Sequence, residues 1–247
     1  MASVPNSKAE YVAQLLLDRI VTANLDPGTS FGTESDLLKQ FDVSRPTLRE
    51  SLRILESQGV LELRPGPKGG IMVRRPGTDI LAHGLSIYLR MHEVPFSAVL
   101  KAREAIEPAL AAEAAANGTD EDFAAMQASI DRMGNIQDPE AFIEENRVFH
   151  SLVAKASNNN VMEIFWATIS IVAVGEEHGV RYTPRSQKHV IEAHRQILEA
   201  LKSRDGEEAA ARMKEHVREL EMFVKKNYRH LLDQATSIVA RQGRRVG

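Results

Sequence analysis

Asn146 and His150 stand four residues apart in a stretch, 139–157, that reads as one helix. Side chains at that spacing share a face, with Cβ atoms about 5–6 Å apart, which is chelate spacing for a divalent ion. His194 and His216 each fall in the middle of a further predicted helix; taken singly, such a histidine reads equally as a core or a surface residue. Arg103 and Glu107 are also four apart, the spacing of a surface ion pair on a helix. A different chemistry stands near the front of the chain. Between Ser44 and Arg75, Arg45, Arg49, Arg53, Arg64, Lys68, Arg74 and Arg75 face only Glu50, Glu56 and Glu62, a local excess of four positive charges. That is where a polyanion would dock, although from charge alone a solvated surface is the better reading.

The whole chain gives no such lead. Its 247 residues carry 31 Lys and Arg against 34 Asp and Glu, a net charge of −3, and are 43% hydrophobic. This is the composition of a folded protein of one large domain or two ordinary ones. Cysteine is absent, which excludes disulfides, thiolate metal sites and cysteine nucleophiles. The most apolar stretch, Val161 to Val174, is broken by Glu163 and Thr168, so no segment approaches the ~20 residues of a membrane span. The first ten residues lack the apolar core of a signal peptide. The expected location is the cytoplasm.

The elements that must position these residues fall into two kinds. The first 78 residues read helix, helix, helix, hairpin. Val12, Leu15, Leu16 and Ile20 form a helical stripe that ends at the turn Asn24-Leu25-Asp26-Pro27-Gly28. Thr33 caps a short helix, Glu34 to Phe41, and Ser44 caps a third, Arg45 to Gln58, closed by Gly59. Residues 60–64 and 71–75 alternate apolar and polar around the glycine-rich Pro65 to Gly70, a β-hairpin. This order is that of a winged helix-turn-helix. From residue 79 onward only helical patterning is found, over 79–92, 97–117, 120–133, 139–157, 160–177, 184–203 and 207–232. The fold class is therefore mainly α: a winged helix-turn-helix over 1–78, an all-α bundle over 79–235, and a disordered tail over 236–247. Phe165, Trp166, Ile169 and Ile171 are read mostly as core, with one face available as a dimer seam.

Several of these strings together resemble the GntR superfamily of bacterial transcription regulators: Leu25-Asp26-Pro27-Gly28, Ser44 through Leu52, Leu55 through Val60, and Gly66 through Gly70. The glycine-rich wing is similar to that of the FadR-like branch. Phe149-His150, Glu192-Ala193-His194 with Ile197-Leu198, and Met213 through His216 resemble that branch's FCD effector domain. The resemblance implies a third helix lying in the major groove, with Ser44, Arg45, Thr47 and Arg49 at its reading end. Arg45 and Arg49 would read bases or clasp phosphates, and the two hydroxyls would position phosphates. In the wing, Gly66 and Gly69 would let the backbone approach a phosphate and Lys68 would sit near the minor groove. The resemblance also implies a metal held by Asn146, His150, His194 and His216, with zinc the first expectation and nickel or manganese possible. Arg103 matches an arginine that faces the effector pocket, where a guanidinium suits a carboxylate. Two departures stand out. Ser35 occupies a position where the family often carries an arginine, and Asn146 one where an acidic ligand is common.

The function expected is that of a homodimeric regulator, a repressor rather than an enzyme. It would bind an inverted-repeat DNA operator under control of a small carboxylate effector sensed through a metal, with no membrane partner and a nucleoid association when on DNA. The alternatives are a zinc hydrolase using three histidines, against which no H-E-x-x-H motif is present, and a metal-free ligand-sensing regulator.

Overall fold

The computed structural model of the chain describes residues 7–66, 70–173 and 181–232. Two compact units are formed, Met1–Ile80 and Leu81–Gly247.

In the first unit, α1 (Lys8–Thr22) starts four residues before its apolar stripe, because the Ser7 hydroxyl accepts the Glu10 N–H at 3.1 Å. α2 (Glu34–Phe41) opens on a capping box in which the side chains of Thr33 and Asp36 satisfy each other's backbone N–H. Asp42, left-handed at φ 44°, turns the chain toward α3 (Arg45–Ser57). Leu48, Leu52 and Leu55 of α3 are buried against Val12, Leu16 and Leu37. Gly59 ends the helix with φ 72°, the left-handed conformation for which glycine has no steric penalty. The hairpin forms as β2 (Leu61–Arg64) and β3 (Gly70–Val73), antiparallel, but a third strand joins it. β1 (Ser30–Gly32) pairs with β3, giving the order β1-β3-β2. Three residues are too few to show an alternation, so β1 left no period in the sequence.

After β3 every described element is a helix: α4 (Thr78–Met91), α5 (Phe96–Asn117), α6 (Asp120–Asn135), α7 (Pro139–Ala156), α8 (Asn160–Val172), α9 (Pro184–Lys202), α10 (Gly206–Asn227) and α11 (Arg229–Leu232). α5 and α10 pack along each other, with α7 and α9 beside them. Their shared core holds Phe142, Phe149, Met126, Ile130, Ile197, Leu201 and Met213. The single helix expected over 207–232 is interrupted at Tyr228, whose φ of −139° leaves the helix. Its hydroxyl instead accepts the Arg181 N–H at 3.2 Å and its ring lies against Phe223. α8 is described to Val172; the expected continuation to 177 and the tail 236–247 lie outside the described residues. On α8, Trp166 is buried, whereas Val161 and Phe165 stay exposed, so the expectation of Phe165 as core is corrected. No described helix is long and apolar enough to cross a membrane.

Candidate metal centre and DNA-reading end

The buried polar side chains of the bundle converge at one place. His150 from α7, His194 from α9 and His216 from α10 are 2%, 0% and 7% exposed. One ring nitrogen from each lies within 4.8 Å of the other two. Nε2 of His216 stands 3.2 Å from Nε2 of His150 and 3.2 Å from Nε2 of His194. Packing fixes each ring: His194 stacks on Phe149 at 3.8 Å between centroids, and His150 lies nearly parallel to His216. Burial, with His216 and His150 close by, holds His194 well below the usual imidazole range. Burial and His150 lower His216 to about 3, against the opposing pull of Glu107. Both rings are therefore neutral near pH 7, with lone pairs available to a cation.

Glu107, on α5 and 2% exposed, stands behind this cluster. Its Oε2 lies 2.6 Å from Nδ1 of His150, and its Oε1 accepts Nε of Arg103 at 2.5 Å. Neither Oε2 nor that Nδ1 has another polar partner among the described residues, so the two answer each other. Burial alone would raise the Glu107 carboxyl, but Arg103 and His150 outweigh it and hold the group ionised, below the ordinary carboxylate range. The Arg103–Glu107 pair expected on the surface is thus present but buried, because α7 and α10 cover that face of α5.

Asn146, one turn before His150 on α7, has its Oδ1 buried without a hydrogen-bond partner among the described residues. It lines a cavity of about 640 Å³, counting the open mouth, together with Arg103, His150, Trp166, Ser170, Tyr182 and several apolar side chains. A second cavity shares Arg103, Asn146, His150 and Tyr182 and reaches His216. His189 lies at its edge, exposed and 2.8 Å from Glu219 through Nε2, outside the three-histidine cluster.

At the N-terminal end of α3, Arg45 and Arg49 are exposed, and both reach back to Glu34 at the start of α2. Nε of Arg49 lies 3.0 Å from both carboxylate oxygens, and the Arg45 guanidinium 3.7 Å from one. The Ser44 hydroxyl accepts the Thr47 N–H at 3.3 Å and lies 2.7 Å from the Thr47 hydroxyl. Both hydroxyls therefore serve the helix cap first. Arg53 is exposed, 4.0 Å from Glu50. Gly66 takes φ 100°, a turn conformation open to glycine; Lys68 and Gly69 lie outside the described residues.

Two family models match: "Bacterial regulatory proteins, gntR family" over residues 8–73 and "FCD domain" over residues 98–219. The chain belongs to the GntR family. Within it, this GntR protein is 29% identical over 211 residues to the uncharacterized HTH-type transcriptional regulator YcbG of Bacillus subtilis (strain 168), covering 84% of this chain and 87% of that one. It is 25% identical over 214 residues to the galactonate operon transcriptional repressor of Escherichia coli (strain K12), covering 82% and 90%. Among solved structures, Streptococcus agalactiae GntR superposes with a TM-score of 0.68 at 24% identity, over 87% of this chain and 99% of the other. The protein is a GntR-type transcription regulator with an FCD effector domain, and the hydrolase alternative falls.

The donor set of this FCD domain suits a divalent cation. Ligand nitrogens around a tetrahedral zinc, at about 2.0–2.1 Å from the ion, stand about 3.3 Å apart. Two of the three pairs here are at 3.2 Å. With the rings of His194 and His216 neutral, their lone pairs are available at the point where the three side chains meet, and a cation there would take them up. Sequence reasoning singled out the histidines but gave Glu107 only an exposed partner's part, and missed Glu34, Trp166 and Tyr182. The first two left a signal, the i, i+4 arginine spacing and an acidic residue opening α2. Trp166 and Tyr182 left none, since their approach to the cavity depends on helix packing.

Proposed function

We propose that this GntR regulator is a homodimeric repressor whose operator binding is governed by a small carboxylate, sensed in the FCD cavity through a divalent metal. Residues 1–78 are the DNA-binding domain, and 79–235 sense the effector and carry the dimer contact. His150, His194 and His216 hold the ion, with zinc first and nickel or manganese as competitors, and Asn146 offers its orphan amide oxygen. The carrying observation is the closed three-histidine cluster beside a cavity that contains Arg103. The ion, when bound, supplies a Lewis-acid anchor for a carboxylate. Arg103 orients that carboxylate with the N–H groups its Nε contact to Glu107 leaves over. Tyr182, Trp166 and the apolar wall exclude water and select the rest of the molecule. That a relative is named for the galactonate operon fits an organic acid as the signal.

At the other end, Ser44, Arg45, Thr47 and Arg49 contact an inverted-repeat operator, aided by Gly66, Lys68 and Gly69 of the wing, and the protein works in the cytoplasm on the nucleoid. Val161, Ile164 and Phe165, exposed along α8, supply apolar surface for the dimer. Effector binding acts by preferring one of two pre-existing dimer geometries. Metal content of protein purified without chelator, followed by calorimetric titration of Zn²⁺, Ni²⁺ and Mn²⁺ into stripped wild type, His194→Ala and His189→Ala, tests the reading. His194→Ala is expected to lose metal affinity by a large factor and His189→Ala to keep it; equal affinity in wild type and His194→Ala refutes it.

A further inference from the structure

Glu107 touches neither the cavity nor another ring nitrogen of the cluster, yet it is the buried carboxylate nearest to it. Its two oxygens are divided between two groups: Oε2 meets Nδ1 of His150 at 2.6 Å, and Oε1 meets Nε of Arg103 at 2.5 Å. Among the described residues Nδ1 of His194 has no hydrogen-bond partner, whereas Nδ1 of His150 has the Glu107 carboxylate beside it. The position on the same face of α7 that could bring a negative charge to the ion holds Asn146, a neutral amide. A carboxylate that accepts the far N–H of a ligating imidazole fixes its tautomer, leaves Nε2 bearing the lone pair and raises the basicity of the ring.

We infer that Glu107 is a positioning residue of the metal centre, delivering through His150 the negative charge that Asn146 does not provide, and linking the centre to Arg103 in the effector cavity. The inference rests on the metal reading above and deepens it. Because Arg103 holds one carboxylate oxygen, a carboxylate ligand that draws Arg103 toward itself leaves more of the Glu107 charge to His150. Ligand and metal then strengthen each other's binding, as reciprocal coupling requires.

The test uses Zn²⁺ as the probe, titrated calorimetrically into the stripped full-length protein, with Co²⁺ visible absorption reporting the geometry of the bound ion. Glu107→Gln keeps the size and an acceptor oxygen but removes the charge, and is expected to weaken Zn²⁺ binding about 10–100-fold, the usual effect of losing such an outer partner. Since that variant leaves Arg103 buried without its counter-ion, the pair Arg103→Met with Glu107→Gln, which removes both charges, is measured beside it and is expected to show the same loss. Adding Asn146→Asp to Glu107→Gln is expected to recover at least about tenfold, because an anionic oxygen suits the ion better than an amide. That change cannot repair packing around α5, so recovery identifies charge as what was lost. Zn²⁺ affinity within twofold of wild type in the doubly neutral pair, or no recovery with Asn146→Asp, overturns the inference while the metal reading stands. Failure of the wild type itself to bind any of the ions overturns both.

Discussion

Acidifying the metal-free protein from about pH 7.5 to about pH 5 should destabilise the second unit by an amount that His216 makes calculable. In the fold its imidazole is lowered to about 3 by burial and by His150; in the unfolded chain it returns to about 6.5. Between those values the unfolded state binds more protons than the native state, so stability rises with pH. The contribution is complete above about pH 6.5 and is lost as the pH falls toward 3. At about pH 5 the unfolded ring is almost fully charged and the folded one is not, which costs ~2 kcal/mol. His194, lowered in the same direction by the same burial, adds to the loss. Glu107, held below the ordinary carboxylate range, loses its contribution only as the pH falls below about 4.5, outside this window.

The assay is urea unfolding in the presence of chelator, followed by tryptophan fluorescence. The chain has one tryptophan, Trp166, buried at 2% exposure in the second unit, so the signal reports that unit. With a urea slope of about 2 kcal/mol per molar, the His216 share moves the midpoint by about 1 M. His216→Gln serves as the reference, since the glutamine does not titrate: its midpoint should fall by about 1 M less than that of wild type over the same pH interval. Parallel shifts in the two proteins would show that the buried ring is protonated in the native state, and the argument for neutral ligands ready for a cation would fail.

Three further outcomes are expected. Arg49→Ala should weaken binding to DNA selected by the wild-type protein from a random pool by ~1–3 kcal/mol, the value of one bidentate base contact, with the urea midpoint unchanged; a mobility shift at matched salt measures it. The fragment 79–247 should remain dimeric in light scattering, because two-fold operators need two-fold proteins and the first unit's apolar residues are largely consumed by its own core. Saturating Zn²⁺ at about one hundred times its dissociation constant should stabilise the second unit by ~2.7 kcal/mol near pH 7.5. That gain should shrink toward pH 5, where protons compete for the imidazoles.

How much of this could be read in the sequence depends on the range of the cause. Caps and turns act over three or four residues: Thr33, Ser44 and Gly59 mark their helix ends in the sequence as they do in the fold. The three histidines lie on helices whose periods are plain, but their periods say nothing about which faces meet. That Nε2 of His216 lies between those of His150 and His194 is decided by how α7, α9 and α10 pack, at sequence separations of 66 and 22 residues. β1 escaped because it has too few residues for a period, and the break at Tyr228 because its cause, Arg181, lies 47 residues away. The Arg103–Glu107 pair was correctly spaced and wrongly exposed: i, i+4 geometry is local, whereas burial belongs to the helices laid over it.

The distribution of unmet polar groups bears on the same centre from another direction. Among the described residues, the buried side-chain atoms without a hydrogen-bond partner are Oε2 of Glu107, Nδ1 of His150, Oδ1 of Asn146, Nε1 of Trp166 and Nδ1 of His194. The first two face each other at 2.6 Å. The other three belong to the histidine cluster or to the cavity wall beside it. Each such group costs about 1–3 kcal/mol when left dry, so chance would scatter few of them and selection would remove most. Elsewhere the described bundle satisfies its buried side chains, as where Ser157 donates to the Ala154 carbonyl and Ser129 to the Glu145 carboxylate. The deficit is therefore local, and it contains both kinds of group that a metal carboxylate complex would complete. On the function proposed above, the Asn146 oxygen would offer a lone pair to the cation and the Trp166 N–H is a donor left over in the same wall. A bundle whose unsatisfied atoms gather at a histidine cluster and the cavity wall beside it is stabilised by whatever fills that place, which is what a sensor requires of its signal.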